Sequence, residues 1–494
     1  MGASRMGASQ GDWHFQPAYR LLQALERGKT SSAELVDYFQ ARAQAHNPAL
    51  NAIVDQDFGA AKAQAEAANA ARKRGQSWGP LHGLPMTIKD ALEVAGMKAV
   101  GGAPQFAGHR PTRHAEAVQR IVNAGAIIFG KTNVPFLSGD LQTYNEVYGT
   151  TNNPWDLSCG PGGSSGGAAA ALAGGLTPLE LGSDIGGSIR TPAHLCGVFG
   201  HKPTFGIVPK RGHIPPEPGA LGEGDLSVVG PLGLSAQDLA LLLGIVAGPN
   251  EAQAKGFTLN LPRPRATSPK GLRVATWFED PFCDIDKEST ALFTEAAKAL
   301  EADGAIIDWE ARPDFTLAEI TEAYLMLLHA NVASRMPPHV KERWEKLKAE
   351  GDPADKSHAM LQARGGTLSY ADWLIWHEKR EQLRAKWAEF FTRYDVVLAP
   401  VLMRPAFAHD HTSNWHARAL EVNGKNRPYM DVLIWAGPAV LCHLPASVAP
   451  VGITQKGLPV GIQIIGPHLE DYTTIAVAGM LEQALGGFKP PKGF

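Results

Sequence analysis

The amino-acid sequence predicts an α/β fold, in which strands and helices alternate along the chain. From Gly83 onward, short apolar runs are separated by stretches with helical spacing, a pattern typical of layered α/β domains. With 494 residues the chain can bury a large core. This length is compatible with two to four domains or with one large α/β unit, and the composition does not choose between them.

The N-terminal part is predicted to be helical. Residues 1–15 contain a doubled Met-Gly-Ala-Ser sequence and are expected to form a disordered or tag-like tail. Ser31 and Glu34 have the spacing of a capping box, and residues 60–74 are rich in Ala. We therefore expect a helical N-terminal cap over residues 16–74.

A strand–helix–strand unit is predicted next. Apolar runs at 86–88 and 126–129 indicate strands, and they flank a helical stretch over 115–123. Residues 166–176 are rich in Ala and favour a buried helix, because small side chains permit close helix–sheet contact. Residues 206–233 hold many Gly and Pro residues and are predicted to form a long loop.

The second half of the chain continues the alternation around a helical insertion. A Ser-x-x-Asp capping signal starts a helix over 235–246, and residues 272–275 are predicted to form a strand. Residues 285–395 are charged, carry several Trp residues and have helical spacing, so they predict a mostly helical insertion. The remaining predicted elements are strands over 396–398 and 461–466, a helix over 473–485 and a tail over 486–494.

Composition limits the classes of partner that the sequence favours. The 46 Lys and Arg residues against 49 Asp and Glu residues give a net charge of −3, which offers no electrostatic reason to expect nucleic acid. The four cysteines form no CxxC pair, so neither a metal site nor a disulfide framework is indicated. The sequence has neither a secretory signal pattern nor a run of about 18 apolar residues. We therefore expect a cytoplasmic monomer or homodimer that uses no cofactor or metal, contacts no membrane and acts on a small molecule.

Two glycine-rich clusters carry the strongest functional signal. Residues 162–167 read Gly-Gly-Ser-Ser-Gly-Gly, and residues 184–190 read Asp-Ile-Gly-Gly-Ser-Ile-Arg. A hydroxyl nucleophile needs a base within hydrogen-bond reach and backbone N–H groups aimed at the developing oxyanion, and Gly permits that close approach. Lys89, which ends the apolar run 84–88, completes a possible Ser-Ser-Lys relay. The pattern predicts a serine hydrolase.

Two other motifs match these regions by pattern but not by context. Residues 125–132 fit the P-loop pattern, yet the four residues between its glycines are a strand-like apolar run, which favours a structural strand over a nucleotide site. Residues 162–166 fit the Gly-x-Ser-x-Gly nucleophile elbow, which requires a strand immediately before the serine. Residues 152–161 are turn formers instead.

Taken together, the motifs closely resemble the amidase signature family. The matching segments cover about residues 16–485 in order and are 83–90, 130–133, 162–167, 182–190 and 457–466. The resemblance implies a single α/β/α sandwich around a mixed, mostly parallel twisted sheet. It also implies amide hydrolysis through an acyl-enzyme by a Ser-cisSer-Lys triad.

The resemblance assigns roles to individual residues. Ser188 corresponds to the nucleophile, Ser164 to a bridging serine after a cis peptide bond, and Lys89 to the base. Gly163 makes such a bond sterically easier, and Ser165 is the competing candidate for the bridging serine. The expected oxyanion hole and supporting residues are the N–H groups of Ile185, Gly186, Gly187 and Ser188, with Asp184 and Arg190 holding the loop. Burial must lower the pKa of Lys89 by several units if it is to act as a base at neutral pH.

The substrate is predicted from the more variable segments. These contribute Leu141, Gln142, Tyr144, Ile214, Leu325 and Trp435, and such a lining favours an acyl or aryl amide, with carbamates and esters also possible. The alternative within the family is the glutaminase subunit of a tRNA-dependent amidotransferase. Residues 215–220, Pro-Pro-Glu-Pro-Gly-Ala, depart from the glutamine-binding stretch usual in such subunits. A catalytically inactive binding protein is disfavoured, because all three triad residues are present.

Overall fold

A large central sheet and fourteen helices make up the part of the chain that the computed structural model describes, residues 12–494. The strands are β1 (Ile53–Gln56), β2 (Pro85–Lys89), β3 (Ile127–Thr132), β4 (Tyr144–Asn145), β5 (Gly149–Thr150), β6 (Leu179–Asp184), β7 (Phe199–Lys202), β8 (Val228–Gly233), β9 (Arg273–Thr276), β10 (Ile306–Asp308), β11 (Val396–Pro400), β12 (Ala419–Val422), β13 (Lys425–Pro428), β14 (Ala446–Ile453) and β15 (Pro459–Ile465). The helices are α1 (Ala18–Glu26), α2 (Ser32–Leu50), α3 (Phe58–Lys73), α4 (Glu116–Asn123), α5 (Gly166–Ala173), α6 (Arg190–Cys196), α7 (Ala236–Val246), α8 (Lys287–Ala302), α9 (Leu317–Ala333), α10 (Pro338–Glu350), α11 (His358–Gly366), α12 (Tyr370–Arg393), α13 (Gly437–Leu441) and α14 (Asp471–Leu485).

The central sheet has eight strands in the order β10-β9-β11-β15-β14-β7-β8-β6. The α/β class and the mixed character of the sheet are confirmed. The expected majority of parallel strands is wrong, because only β10–β9 and β9–β11 run parallel among the neighbouring pairs of this sheet in the described chain. From β11 to β6 every neighbouring pair is antiparallel.

A second sheet has the order β1-β3-β2, with β2 and β3 parallel and β1 antiparallel to β3. The predicted all-helical cap therefore contains a strand, because residues 53–56 find a partner more than 70 positions later in the chain. Helices α1, α2 and α3 form the rest of the cap. The capping box of Ser31 and Glu34 is present at the start of α2, as its spacing predicts.

Two predicted boundaries shift for reasons that pairing explains. Residues 206–233 are not loop throughout, since their last six form β8 between β7 and β6; Gly and Pro within that strand conceal its apolar run. The predicted insertion is helical from α9 to α12, but α8 and β10 belong to the sheet layer. They complete a parallel β9-α8-β10 unit, the usual crossover arrangement.

The predicted tails are partly packed against the body. Phe15 lies with its ring centroid 5.7 Å from that of Phe488, and Phe494 lies 5.5 Å from the ring of His46. Residues 12–15 and 486–494 thus extend the body beyond the predicted limits, and residues 1–11 of the proposed tail lie outside the described part. Across residues 12–494, no helix has the length and apolar character needed to cross a membrane.

The core is densest where the two glycine-rich clusters meet. Every residue of β2, β6 and α5 is buried. Because α5 consists of Gly, Ala and Leu alone, it can lie close to the strands beside it. The ends of β2 and β6 and the start of α5 are thereby held together, and the candidate site lies at this junction.

Candidate active site

Lys89, the last residue of β2, is fully buried and points at two hydroxyl groups. Its Nζ lies 2.7 Å from Ser164 Oγ and 2.9 Å from Ser183 Oγ. Burial lowers the pKa of Lys89 to about 7, although the negative charges of Asp184 and Glu180 oppose this. An amine in this state is neutral in an appreciable fraction of molecules at neutral pH and can accept a proton.

Ser164 and Ser165 precede α5 but have different surroundings. The Gly163–Ser164 peptide bond is cis, and a Cβ atom at Gly163 would lie 2.7 Å from the backbone oxygen of Asp140, so only glycine fits there. Ser164 contacts the lysine. The Ser165 hydroxyl instead lies within 3.4 Å of the backbone N and O of Ser183 in β6. The geometry therefore favours Ser164 over Ser165 as the group that exchanges a proton with Lys89.

Ser188 lies in the loop between β6 and α6, next to the first serine cluster. Its backbone carbonyl accepts a hydrogen bond from the Ser165 N–H at 3.0 Å. The two serine segments are thus joined through the backbone, while the link from Ser164 to Lys89 is made by side chains.

Asp184 and Arg190 support the Ser188 loop. Their buried ion pair is 2.9 Å long, and Asp184 also accepts the N–H groups of Gly187 at 2.9 Å and Ile189 at 3.0 Å. Burial alone would raise the pKa of Asp184, but the charge and hydrogen bonds of Arg190 and the Ile189 N–H lower it to about 2. Arg190 also donates to Gln463 of β15, a residue within a matched motif whose role the sequence did not indicate.

The expected oxyanion hole needs one correction. The N–H of Gly187 is held by Asp184 Oδ1 and is not free to face a substrate. The N–H groups of Ile185, Gly186 and Ser188 are the remaining predicted donors. Gly187 has a φ of +96°, a conformation that residues with side chains rarely adopt. Glycine is therefore needed at this position for the turn, and not to donate to an oxyanion.

Two residues beside this loop were not found from the sequence. Tyr324 of α9 donates its hydroxyl to the Ile185 carbonyl at 2.9 Å. A Cβ atom at Gly186 would lie 2.9 Å from Leu433 Cδ2 and 3.3 Å from the Tyr324 hydroxyl oxygen. Both contacts bridge more than 130 positions of chain, so no local pattern signals them.

A cavity of about 270 Å³ shares Leu433 with the surroundings of this loop, although none of residues 184–190 lines it. Of the six predicted pocket residues, Leu325 lines it. Its walls combine apolar and charged side chains, namely Phe282, Thr316, Ala318, Glu319, Thr321, Glu322, Leu325, Lys356, His358, Leu361, Met430, Asp431, Leu433 and Ile434.

The other predicted pocket residues have structural contacts. Gln142 exchanges hydrogen bonds with the backbone of Asp410, and Tyr144 accepts one from Arg418 at 2.7 Å. The others are buried: Leu141 in the main core, Ile214 against Gly101, and Trp435 against the ring of Trp277. The place of these five residues in a substrate pocket stays a prediction.

Neither of the two competing motifs has the surroundings that its function requires. Residues 127–132 of the P-loop-like segment form β3, and Lys131 donates to the backbone carbonyls of Leu92 and Lys98 at 2.7 and 3.1 Å. No strand directly precedes Ser164 in the described chain, since β5 ends at Thr150. Within residues 12–494, no group of three or more His, Cys, Asp and Glu side chains is arranged to hold a metal ion.

Comparison with known proteins identifies relatives that span almost the whole chain. A family model described as Amidase matches residues 34–475. The A subunit of the glutamyl-tRNA(Gln) amidotransferase of Synechococcus sp. (strain CC9902) is 33% identical over 487 residues, covering 94% of this chain and 95% of the relative. The same subunit of Deinococcus radiodurans is 32% identical, covering 95% and 97%. The solved structure of 6-aminohexanoate cyclic dimer hydrolase with its substrate is 26% identical, with a TM-score of 0.77 and coverage of 97% and 99%.

These relatives correct the expectation about partners. A monomer or homodimer acting only on a small amide or carbamate, without nucleic acid, was expected, but the curated relatives are one subunit of a glutamyl-tRNA(Gln) amidotransferase. That expectation is wrong. It relied on a net charge of −3, and a sum over the whole chain does not reveal a local docking surface.

Proposed function

This chain belongs to the amidase signature family, and from that premise we propose that it hydrolyses the carbon–nitrogen bond of a carboxamide through an acyl-enzyme formed on Ser188. The observation that carries the proposal is the buried Lys89 amine 2.7 Å from the Ser164 hydroxyl. A neutral amine in this position can act as a general base, whereas an ordinary lysine is charged at neutral pH.

In the proposed reaction, Lys89 takes the proton of Ser164 while Ser164 takes that of Ser188. The Ser188 oxygen then bonds to the amide carbon, and the carbonyl oxygen becomes an oxyanion. The relay returns the proton to the nitrogen, the C–N bond breaks, and the amine or ammonia leaves. Water attacks the acyl-enzyme by the same relay and releases the carboxylic acid.

The proposed oxyanion donors are the N–H groups of Ile185, Gly186 and Ser188. A donor of this kind contributes about 3–4 kcal/mol to the stability of the transition state. The hydrogen bond from Tyr324 to the Ile185 carbonyl and the Asp184–Arg190 pair support this assignment, because they hold the loop before substrate arrives. Preorganised donors need no rearrangement during the reaction.

For the substrate, we infer that the amide is the side chain of glutamine, with ammonia passed on as in the A subunit of an amidotransferase. The relatives at 32–33% identity over more than nine-tenths of the chain support this inference. The charged residues Glu322 and Lys356 of the cavity beside Leu433 pair with each other at 2.7 Å, so the inference rests on the relatives alone. Partner subunits and a tRNA would then complete the reaction.

A second candidate is hydrolysis of an amide with an apolar acyl or aryl group, and by the same chemistry of carbamates or esters. The apolar part of the cavity favours it, because Leu325, Leu361 and Leu433 all line that cavity and Leu433 lies next to Gly186. Such a wall would accept a hydrocarbon group better than a charged one.

The test measures ammonia from glutamine, with the chain alone and with the partner subunits and tRNA of a glutamyl-tRNA(Gln) amidotransferase. We expect glutamine hydrolysis that Ser188→Ala lowers by at least about 10⁴-fold. Ser158→Ala is the matched control, since Ser158 is exposed and hydrogen-bonded to Asp156. Turnover of acyl anilides without any release of ammonia from glutamine would contradict the glutamine proposal and favour the apolar or aryl amide. Activity in the Ser188→Ala variant would contradict the role of Ser188 as the nucleophile.

A further inference from the structure

A histidine outside the predicted triad is connected to the buried lysine by one hydroxyl group. His213 Nε2 lies 2.8 Å from Ser183 Oγ, which in turn lies 2.9 Å from Lys89 Nζ. The other ring nitrogen, Nδ1, lies 2.9 Å from the carbonyl oxygen of Pro215. The chain of contacts therefore runs from a backbone carbonyl through an imidazole and a hydroxyl to the lysine.

The direction of each hydrogen bond in this chain follows from its first member. A carbonyl oxygen only accepts, so Nδ1 of His213 must carry the hydrogen. In a neutral imidazole, Nε2 then has the lone pair and accepts the Ser183 hydroxyl hydrogen. With its own hydrogen committed, the Ser183 oxygen is left to accept one from Lys89.

These hydrogen-bond directions decide which neighbour the lone pair of neutral Lys89 can face. Because Lys89 donates to Ser183, its lone pair is available to the other neighbour, the Ser164 hydroxyl, at 2.7 Å. Without the imidazole, the Ser183 hydroxyl could turn and donate to Lys89 instead. It would then compete with Ser164 for the single lone pair that the base uses.

We propose that His213 is a positioning residue that fixes the direction of proton donation at Lys89, so that the amine faces Ser164 as an acceptor. The proposal rests on the base role given to Lys89 under the proposed function. It assigns His213 no contact with substrate, and its effect passes through the hydroxyl of Ser183.

The surroundings of the ring favour the neutral form that this role needs. Burial, followed by the charge of Lys89, lowers the pKa of His213 to about 3. Lys210 and Arg335 also act on the ring with positive charge, and the Pro215 carbonyl opposes them. The imidazole is therefore uncharged throughout the pH range in which Lys89 changes its protonation.

The test compares His213→Leu, which removes the acceptor, with His213→Gln, whose side-chain oxygen can take the place of Nε2. We expect His213→Leu to lower kcat by about 10- to 100-fold, with KM changed by less than about 3-fold, since only proton transfer is affected. His213→Gln should recover most of that loss. His114→Leu is the matched control, because His114 is a partly buried histidine that accepts the Ala95 N–H at 3.1 Å.

A double-mutant cycle with Ser183→Ala separates this role from general packing. If His213 acts through Ser183, the loss in kcat of the double variant should equal that of Ser183→Ala alone, whereas independent effects would multiply. Multiplying effects, or a His213→Leu variant with the kcat of the wild type, would overturn the proposal. If His213→Leu fails to fold, His213→Gln still decides, because a loss in kcat of about tenfold or more in that variant would contradict the rescue. A wild-type chain without any amide turnover would contradict the proposed function instead.

Discussion

Two lysines on neighbouring strands show how partners decide what a buried amine can do. Lys89 ends β2 and Lys131 lies beside it in β3, and both side chains are fully buried. Lys89 contacts the hydroxyl groups of Ser164 and Ser183. Lys131 donates to the backbone carbonyls of Leu92 and Lys98 and lies 3.9 Å from a carboxylate oxygen of Asp90.

The difference is chemical and not a matter of burial. A hydroxyl group can both give and receive a proton, whereas a backbone carbonyl only accepts a hydrogen bond. Burial lowers the pKa of both lysines, and for Lys131 the charge of Asp90 opposes it most. Lys89 is thus suited to proton transfer and Lys131 to holding the loop of residues 90–98 in place.

The largest effect is expected when the amine of Lys89 is removed. Lys89→Met should lower amide turnover by about 10²–10⁴-fold, because the general base is lost. The loss should be smaller for a nitrophenyl ester, whose leaving group needs no proton. Thermal stability should change little or rise, since an amine that costs free energy to bury is replaced by an apolar chain of similar length. The measurements are kcat on both substrates and a thermal melt; equal amide turnover in the variant and the wild type would contradict the base role.

Lys131→Met should show the opposite pattern. It leaves the carbonyls of Leu92 and Lys98 and the carboxyl of Asp90 without their cation, so we expect a loss of about 3–5 kcal/mol in the free energy of unfolding. The folded fraction of the Lys131→Met variant should lose less turnover than the Lys89→Met variant loses. Denaturant unfolding measures the free energy of unfolding. Kinetics at denaturant concentrations below the unfolding midpoint measure the turnover of the folded protein. A stable but inactive Lys131→Met variant would show that Lys131 takes part in the reaction and would contradict its structural role.

The pH dependence of turnover sharpens the comparison further. Because the pKa of Lys89 is lowered to about 7, the amine is protonated and unable to accept a proton below this value. We expect kcat/KM to rise about tenfold per pH unit below pH 7 and to level off above it. A pH–rate profile of the wild type tests this. An acid limb centred near pH 4, in the range of a carboxylate, would indicate a different base.

The site was more predictable from sequence than the sheet that carries it. Lys89 ends an apolar run and Ser164 and Ser188 lie in glycine-rich segments, so each has a local signal. The directions of the sheet strands have none, because β14 pairs with β7 about 250 positions earlier in the chain. Pairing over such distances depends on the whole fold.

The second layer of the site was missed for the same reason. Tyr324 and Leu433 reach the Ile185–Gly186 turn from α9 and from the segment before α13, and neither lies in a recognisable motif. The position of Gly187 in the glycine cluster predicts a place in the oxyanion hole. Only the folded chain reveals that Asp184, three residues earlier, already accepts its N–H group.

The smallest expected effect concerns Ser165, which the sequence left as a rival to Ser164. Its hydroxyl lies 3.3 Å from the Ser183 carbonyl oxygen and 3.4 Å from the Ser183 nitrogen, so Ser165→Ala should cost about 1 kcal/mol of stability through a lost hydrogen bond. Turnover should fall only a few-fold, because the Lys89–Ser164 contact stays intact. Ser164→Ala, the matched substitution one residue earlier, should lower kcat by about 10²–10⁴-fold by interrupting the path to Ser188. If the two variants exchanged these behaviours, the lysine would have to pass its proton through Ser165, and the pairing seen at 2.7 Å would not be the productive one.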